Sequence, residues 1–454
     1  MSSHSETGIS ISPPNRGWDR EIARLALPAF VALISEPLFL LSDAAIVGHL
    51  GVSQLAALGI ASTVLQTAIG MFIFLAYGTT SAVARNLGAG DRRRALALGI
   101  DGLWLAALIG SVVGIASGAL APTIVSTFSP TAAVAEFAVT YLRIAAFGVP
   151  ALLVLFAATG VLRGLQDTKT PLLVAVVANL TNIALNLAFV YGLGWGMAGS
   201  AAGTLVAQGL AALALVMVVV RAARTHDAPL VPHTAGIKAA WRTGVPLVIR
   251  TLTLRATLVL ATYVAAAIST EAVAAHQVAF TIWGFLAFAL DAIAIAGQAI
   301  TGRLLGAGDA EGARAATRRM LQWGLASGVV LGVALAATRP VVVPLFTPDA
   351  EVQHLLSAVL LIAAVHQPVS GVVFVLDGVL IGAGDGRYLA WAGVVNLIAF
   401  APLAAAVMWL DLGLEWLWWA FTVFMGMRMV TLVLRARGDR WMVLGSVRSA
   451  ASPG

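Results

Sequence analysis

Residues 88–91 read Gly88-Ala89-Gly90-Asp91, and the same four residues return as Gly306-Ala307-Gly308-Asp309, 218 positions later. The same offset carries Pro28 onto Pro246, Ala56-Ala57 onto Ala274-Ala275 and Thr63 onto Thr281. It also carries Phe128 onto Phe346, Pro130 onto Pro348, Pro150 onto Pro368, Gly164 onto Gly382 and Asp167 onto Asp385. A register held without a gap over some 140 residues marks an internal structural repeat. Whatever one half builds, the other half builds again.

What each half builds follows from hydropathy. Of 454 residues, 60% are hydrophobic and 11% charged, with a mean hydropathy of +0.93. A soluble domain carries roughly 25% charged residues, so this chain has far too much apolar surface for water. It is an integral membrane protein. Apolar runs long enough to cross a bilayer fall at about 25–48, 55–80, 96–120, 138–162, 171–191 and 197–220. Six more fall at 244–268, 272–300, 320–337, 355–381, 389–410 and 414–434. The expected fold is all-α: twelve transmembrane helices in two six-helix lobes, 23–220 and 244–434, joined by a linker at 221–243. Tails at 1–22 and 435–454 complete the chain. Six is even, so both halves enter the membrane in the same sense. A pseudo-two-fold axis along the membrane normal relates them, with a shared cavity between.

Of the 27 arginines and lysines, 22 fall on one face of this topology. The positive-inside rule makes that face, and both termini, cytoplasmic. The net charge of +6 is thereby a topology signal that calls for no nucleic-acid partner. Arginine outnumbers lysine 25 to 2, which points to a GC-rich bacterial source and hence a bacterial inner membrane. Trp409, Trp416, Trp418 and Trp419 gather at the opposite face, where amphipathic rings suit the interface.

Other chemistries drop out. There is no cysteine, which excludes disulfides, thiolate metal sites and a Cys nucleophile. Seven scattered histidines form no zinc-hydrolase pair, and His276 and His366 read as satisfied packing residues. Gly194-Trp195-Gly196-Met197-Ala198-Gly199 matches a dinucleotide pattern by letter but joins two membrane helices without a preceding strand. No P-loop and no catalytic cluster is visible, so an enzyme is not expected.

Two motifs carry a resemblance. Leu162-Arg163-Gly164-Leu165-Gln166-Asp167-Thr168-Lys169-Thr170-Pro171 resembles the LRGxGDTKxP signature of the MATE (multidrug and toxic compound extrusion) family. Its counterpart ends in Gly382-Ala383-Gly384-Asp385, and Ser42 to Gly51 is similar to the family's vDtxxvGhlG. The match is nearest to the DinF-like branch and extends over about residues 20 to 440. The resemblance implies a cation-coupled antiporter that expels small apolar or cationic compounds by alternating access. A lipid or lipid-linked saccharide flippase of the same superfamily is the alternative.

Asp43 stands 19 residues beyond Arg24, roughly 28 Å up a helix, and Glu36 stands two turns below it. Acids buried in a membrane most often face a cavity or a proton path. These two are the expected ion-coupling residues. Pro37 removes a helical donor between them, which bends or loosens the first helix, either as a static shape or as part of the cycle. Asn179, Asn182 and Asn186, with Thr204, supply an N-lobe polar site. Asn182 and Asn186 share one helix face. The resemblance places a second acid at position 186, and this chain has an amide there. One carboxylate plus amides is a weak cage for a hard cation, which favours protons over sodium, although sodium at Asp43 stays open. In the C-lobe, Arg250 and Arg255 bracket Asp291 in depth and are expected to pair with it, since an unpaired intramembrane arginine is expensive. An anion-attracting arginine is the other reading, and Asp377 is expected to bond locally. No cofactor and no bound metal are expected, and the protein should act as a monomer in the lipid bilayer.

Overall fold

The computed structural model describes residues 14–446, and side chains from residue 17 onward. The expected tails at 1–22 and 435–454 therefore lie partly outside the described residues. In the first half come α1 (Pro14–Gly48), α2 (Val52–Gly70), α3 (Phe74–Gly88), α4 (Arg92–Ala119), the short α5 (Ala121–Ser126), α6 (Ala132–Ala146) and α7 (Val149–Gly164). Then follow α8 (Lys169–Leu187), a π-helical turn at Ala188–Gly192, and α9 (Gly196–Thr225). The second half holds α10 (Thr234–Ile268), α11 (Thr270–Gly306), α12 (Ala310–Phe346), α13 (Ala350–Gly382), α14 (Gly386–Trp409) and α15 (Leu414–Arg437). Among the described residues every regular element is helical.

These elements give twelve membrane crossings. Eleven are long apolar spans, with α2 and α3 sharing one, and the twelfth is the pair α6 and α7, bent by 49°. The helices outrun the apolar cores read from sequence, so between the lobes only 226–233 lies outside a helix. The repeat is visible in the packing. The contacts α1 with α8, α3 with α7, α4 with α7 and α8 with α9 return as α10 with α14, α11 with α13, α12 with α13 and α14 with α15.

The Gly-Ala-Gly-Asp loops are helix punctuation. Gly90 and Gly308 take the left-handed conformation, at φ 79° and 80°, which glycine adopts without a Cβ penalty. Asp91 and Asp309 then accept from the amides of Arg94 at 2.8 Å and Gly312 at 2.7 Å, opening the next helix.

The lobes meet on the arginine-rich face. A Cβ at Gly88 would collide with the carbonyl of Arg303, and one at Gly306 with the carbonyl of Arg85. Both pairs are related by the offset of 218, so the pseudo-two-fold axis passes through the crossing of α3 and α11. Cross-lobe hydrogen bonds surround this crossing. Ser81 Oγ donates to Gly382 O at 3.0 Å, Arg85 Nη1 to Ala383 O at 2.9 Å, and Gln166 Nε2 to Ala299 O at 2.9 Å. Arg85 also donates to the carbonyl of Val443, beyond α15. Ion pairs tie α1 to the second lobe: Asp19 with Arg319 at 2.6 Å and Glu21 with Arg303 at 2.6 Å. On the opposite side, α2, α5 and α6 make no substantial contact with the second lobe. The molecule is closed at the arginine-rich face and open at the other.

Candidate functional site

Asp43 lies on α1 and is only 3% exposed, inside the first lobe. Around it the chain builds a closed ring. Asn186 Nδ2 donates to Asp43 Oδ1 and, at 3.2 Å, to Asn182 Oδ1. Asn182 Nδ2 donates to Thr204 Oγ1 at 3.0 Å, and Thr204 Oγ1 donates to Asp43 Oδ2 at 3.4 Å. The i,i+4 spacing puts Asn182 and Asn186 on one face of α8, aimed at α1 and α9. Gly203 of α9 makes room, since a Cβ there would strike the Asn186 side chain. One buried oxygen of the ring, Asn186 Oδ1, has no hydrogen-bond partner among the described residues.

The other N-lobe residues singled out in sequence sit around this ring. Asn179 Nδ2 donates to Ser35 O at 2.9 Å and so ties α8 to α1 beside Pro37. Helix α1 itself runs unbroken through Pro28 and Pro37. Among the described residues Glu36 forms no hydrogen bond or ion pair, and it is exposed on α1.

Two residues escaped the sequence reading. Tyr141, buried on α6, stands beside Asp43, Thr204 and Ser200. Tyr191 Oη donates to Ile46 O at 2.6 Å, from the π turn that ends α8. Single-turn π segments re-aim side chains and gather at functional sites. No residue spacing announces either contact.

The C-lobe differs from the sequence expectation. Arg250 pairs with Asp377, at 2.6 Å, and Arg428 pairs with the same carboxylate at 2.5 Å. Asp377 is thus the counter-ion of two arginines, where sequence suggested local bonding. Asp291 makes no ion pair within 4 Å among the described residues, although Arg163 and Arg250 lie within electrostatic reach. Arg255 is exposed and makes no ion pair among the described residues; its guanidinium extends toward Gly70, where α2 ends. Counting residues fixed the height of each charge along its helix. It left open which way each one faces, and helix packing turns Asp377 toward Arg250 and Arg428. Trp418 is a second correction: it is 1% exposed, packed with His276, Phe280, His366 and Phe421. Trp409, 80% exposed, and its neighbours Trp416 and Trp419 face outward. His276 bonds to Trp418 at 3.2 Å and Thr262 at 3.3 Å, and His366 to Thr422 at 3.2 Å.

The duplicated fold with its one-acid site can be set against known proteins. The MatE family profile matches residues 28–188 and 246–410, once in each lobe. Protein DETOXIFICATION 44, chloroplastic, of Arabidopsis thaliana is 32% identical over 448 residues, covering 94% of this chain and 84% of the relative. DNA damage-inducible protein F of Escherichia coli K12 is 26% identical over 425 residues, covering 91% of each. The structure of the Vibrio cholerae MATE transporter VcmN in its bent form superposes with a TM-score of 0.86 at 20% identity. That superposition covers 94% of this chain and 98% of the other. Fold, repeat and motifs agree with this: the chain is a multi-pass membrane transporter, not an enzyme, and belongs to the MatE family.

Proposed function

We propose that the chain is a secondary antiporter that expels small apolar or cationic organic compounds in exchange for protons, by alternating access between its lobes. The observation that carries this reading is the ring around Asp43. It contains one carboxylate, and its remaining members are two amides and a hydroxyl. A hard cation is best held by several oxygens, with more than one carboxylate among them. Here the N–H and O–H groups of the ring are spent as donors to oxygen, which solvates a charged carboxylate rather than a metal ion. A proton needs only one basic oxygen.

Asn186 suits both protonation states. As built, its amide donates to charged Asp43. Once Asp43 carries a proton it must donate, and the unpartnered Asn186 Oδ1 is the acceptor that a rotation of the amide would present. An aspartate at 186 could not serve as donor in the first state. Glu36, exposed two turns away on the same helix, passes or shares the proton between the ring and the outside.

Taking the arginine-rich face as cytoplasmic, the closed crossing of α3 and α11 makes this an outward-open state. The return stroke separates that crossing and opens the other way. We place the protein in a bacterial inner membrane, monomeric, with both termini cytoplasmic and no nucleic-acid partner. With no native cysteine, a Ser446→Cys variant should resist an impermeant label applied outside intact cells, and labelling would reverse the topology.

The deciding experiment uses proteoliposomes with a proton gradient or a sodium gradient imposed alone. The proton gradient should suffice to drive uphill movement of an organic cation. A strict sodium requirement would overturn the coupling ion, and no movement under either gradient would overturn the function.

A further inference from the structure

Arg85 and Arg303 are equivalent under the repeat, 218 positions apart. Each crosses to the opposite lobe at the arginine-rich face, and each meets something different there. Arg303 of α11 reaches a carboxylate on α1, its Nη2 lying 2.6 Å from Glu21 Oε1. The repeat carries position 21 onto Ala239 of α10, which has no charge to offer Arg85. Arg85 is nonetheless only 4% exposed, and backbone carbonyls of the second lobe take its guanidinium. Ala383 O accepts from Nη1 at 2.9 Å, while Val443 O and Gly445 O accept from Nη2, the latter at 3.2 Å.

Val443 and Gly445 belong to the segment that follows α15, running from Asp439 to Gly445. The end of a chain stays loose unless it is tied down, and this segment is tied to the second lobe. Asp439 pairs with Arg314 of α12 at 2.5 Å. Trp441 is 1% exposed, and its Nε1 donates to Ala436 O of α15 at 3.1 Å. Gly445 N donates to Leu305 O of α11 at 2.9 Å. Leu305 precedes Gly306, where α11 touches α3. At φ 93°, a conformation open to glycine, Gly445 turns its N–H to the second lobe and its carbonyl to the first.

We propose that residues 439–445 are a latch: carried by the second lobe, they grip Arg85 of the first and hold the arginine-rich face shut. The inference rests on the alternating-access reading above, since a latch matters only if the crossing opens. Hydrogen bonds from a guanidinium are of the stronger, charge-assisted kind. The strap moves with its own lobe, so parting α3 from α11 must break those to Val443 and Gly445. On the other side of the axis Glu21 does the same for Arg303. One half of the lock is a side chain inside the repeat, and the other half is a strap added after it. Detaching the strap releases that face without touching the ring around Asp43.

The test labels Ser81→Cys, a near-isosteric change in a chain without cysteine, at a residue 4% exposed whose hydroxyl bonds across the lobes. Full-length protein in nanodiscs is exposed to a water-soluble maleimide, and the labelling rate reads the opening of the crossing. Gly445→Pro removes the donor to Leu305 and cannot hold a positive φ. It should raise the rate by at least about tenfold, the factor that one charge-assisted hydrogen bond supplies. Arg85→Gln, which leaves the strap in place, should raise it likewise, and both together should do no more than either alone. Ala239 is exposed, and Ala239→Glu offers Arg85 the carboxylate that Glu21 offers Arg303. It should slow labelling of Gly445→Pro but not of Arg85→Gln. An unchanged rate in either single variant, or additive effects of the pair, overturns the latch. Labelling needs neither gradient nor substrate, so this result and the transport result above fail separately.

Discussion

At the offset of 218, Asp43, Asn182 and Asn186 of the first lobe fall on Ala261, Phe400 and Ala404 of the second. All six are buried. One lobe closes a ring of hydrogen bonds around a carboxylate. The other fills the matching space with apolar groups, and Phe400 stacks on through Phe424 and Phe421 to Trp418. The helices differ in the same sense. In the first lobe two crossings are interrupted, between Gly70 and Phe74 and between Ala146 and Val149, whereas α11 and α13 run whole. What stays alike is the crossing where the lobes touch, Gly88 on Arg303 and Gly306 on Arg85. Duplication kept the crossing and gave the two lobes different interiors. On the function proposed above, the amide-lined lobe with broken helices is the one that responds to a proton, and the aromatic lobe is its apolar counterpart.

Asp43→Asn should break the comparison most severely. The near-isosteric amide keeps the fold but has no proton to exchange, so proton-driven efflux should fall by about two orders of magnitude or more, within the range that loss of a proton-transfer group produces. Substrate-induced proton movement in proteoliposomes measures it. Undiminished exchange would remove the first lobe's special role.

In the second lobe the charges should matter for stability. Asp377→Asn leaves Arg250 and Arg428 buried without their counter-ion, their side chains 13% and 10% exposed. Breaking such a cluster from one side costs about 3–5 kcal/mol, read as a lower unfolding temperature in detergent. Adding Arg428→Gln should recover part of the loss. Full stability in Asp377→Asn would show that the cluster is dispensable.

Asn186→Asp sharpens the contrast in the other direction. A second carboxylate beside Asp43 restores a two-acid site, so added sodium should alter transport in the variant at concentrations that leave the wild type unmoved. Identical sodium responses would show that the amide does not select the proton.

Gln166 should give the smallest effect. It holds a left-handed conformation at φ 67°, where the family signature has glycine, while its side chain bonds across the lobes to Ala299 O. Gln166→Gly relieves the left-handed backbone by about 1–2 kcal/mol and forfeits a hydrogen bond worth about 0.5–1.5 kcal/mol. Unfolding temperature should therefore hardly move, while the accessibility of a single cysteine introduced at the α3–α11 crossing should rise. A large change in stability would mean that the bond to Ala299 is not offset by the backbone.

Most of the fold was legible because the membrane makes it so. With no water to satisfy the backbone, an apolar run of sufficient length becomes a helix, and counting such runs gave all twelve crossings. The repeat offset and the arginine bias then set the two lobes and their shared orientation. The polar cluster of the first lobe was legible in part: Asp43, Asn182, Asn186 and Thr204 form one hydrogen-bonded ring, while Asn179 bonds to Ser35 O outside it. Height along a helix follows from 1.5 Å per residue, and that number survives folding.

Azimuth does not follow from any count. Which way a side chain points around the bundle depends on how helices far apart in the chain pack. Only the tertiary structure could therefore turn Arg250 and Arg428 onto Asp377, leave Asp291 and Arg255 without an ion pair among the described residues, and bury Trp418 beside its exposed neighbours. The same holds for Tyr191, whose reach to Ile46 depends on one π turn, and for Gln166, whose bond crosses between lobes. The conformation itself is a tertiary fact of this kind. Which face is closed is decided by contacts between α3 and α11, more than 200 residues apart, and no local stretch of sequence specifies such a long-range crossing.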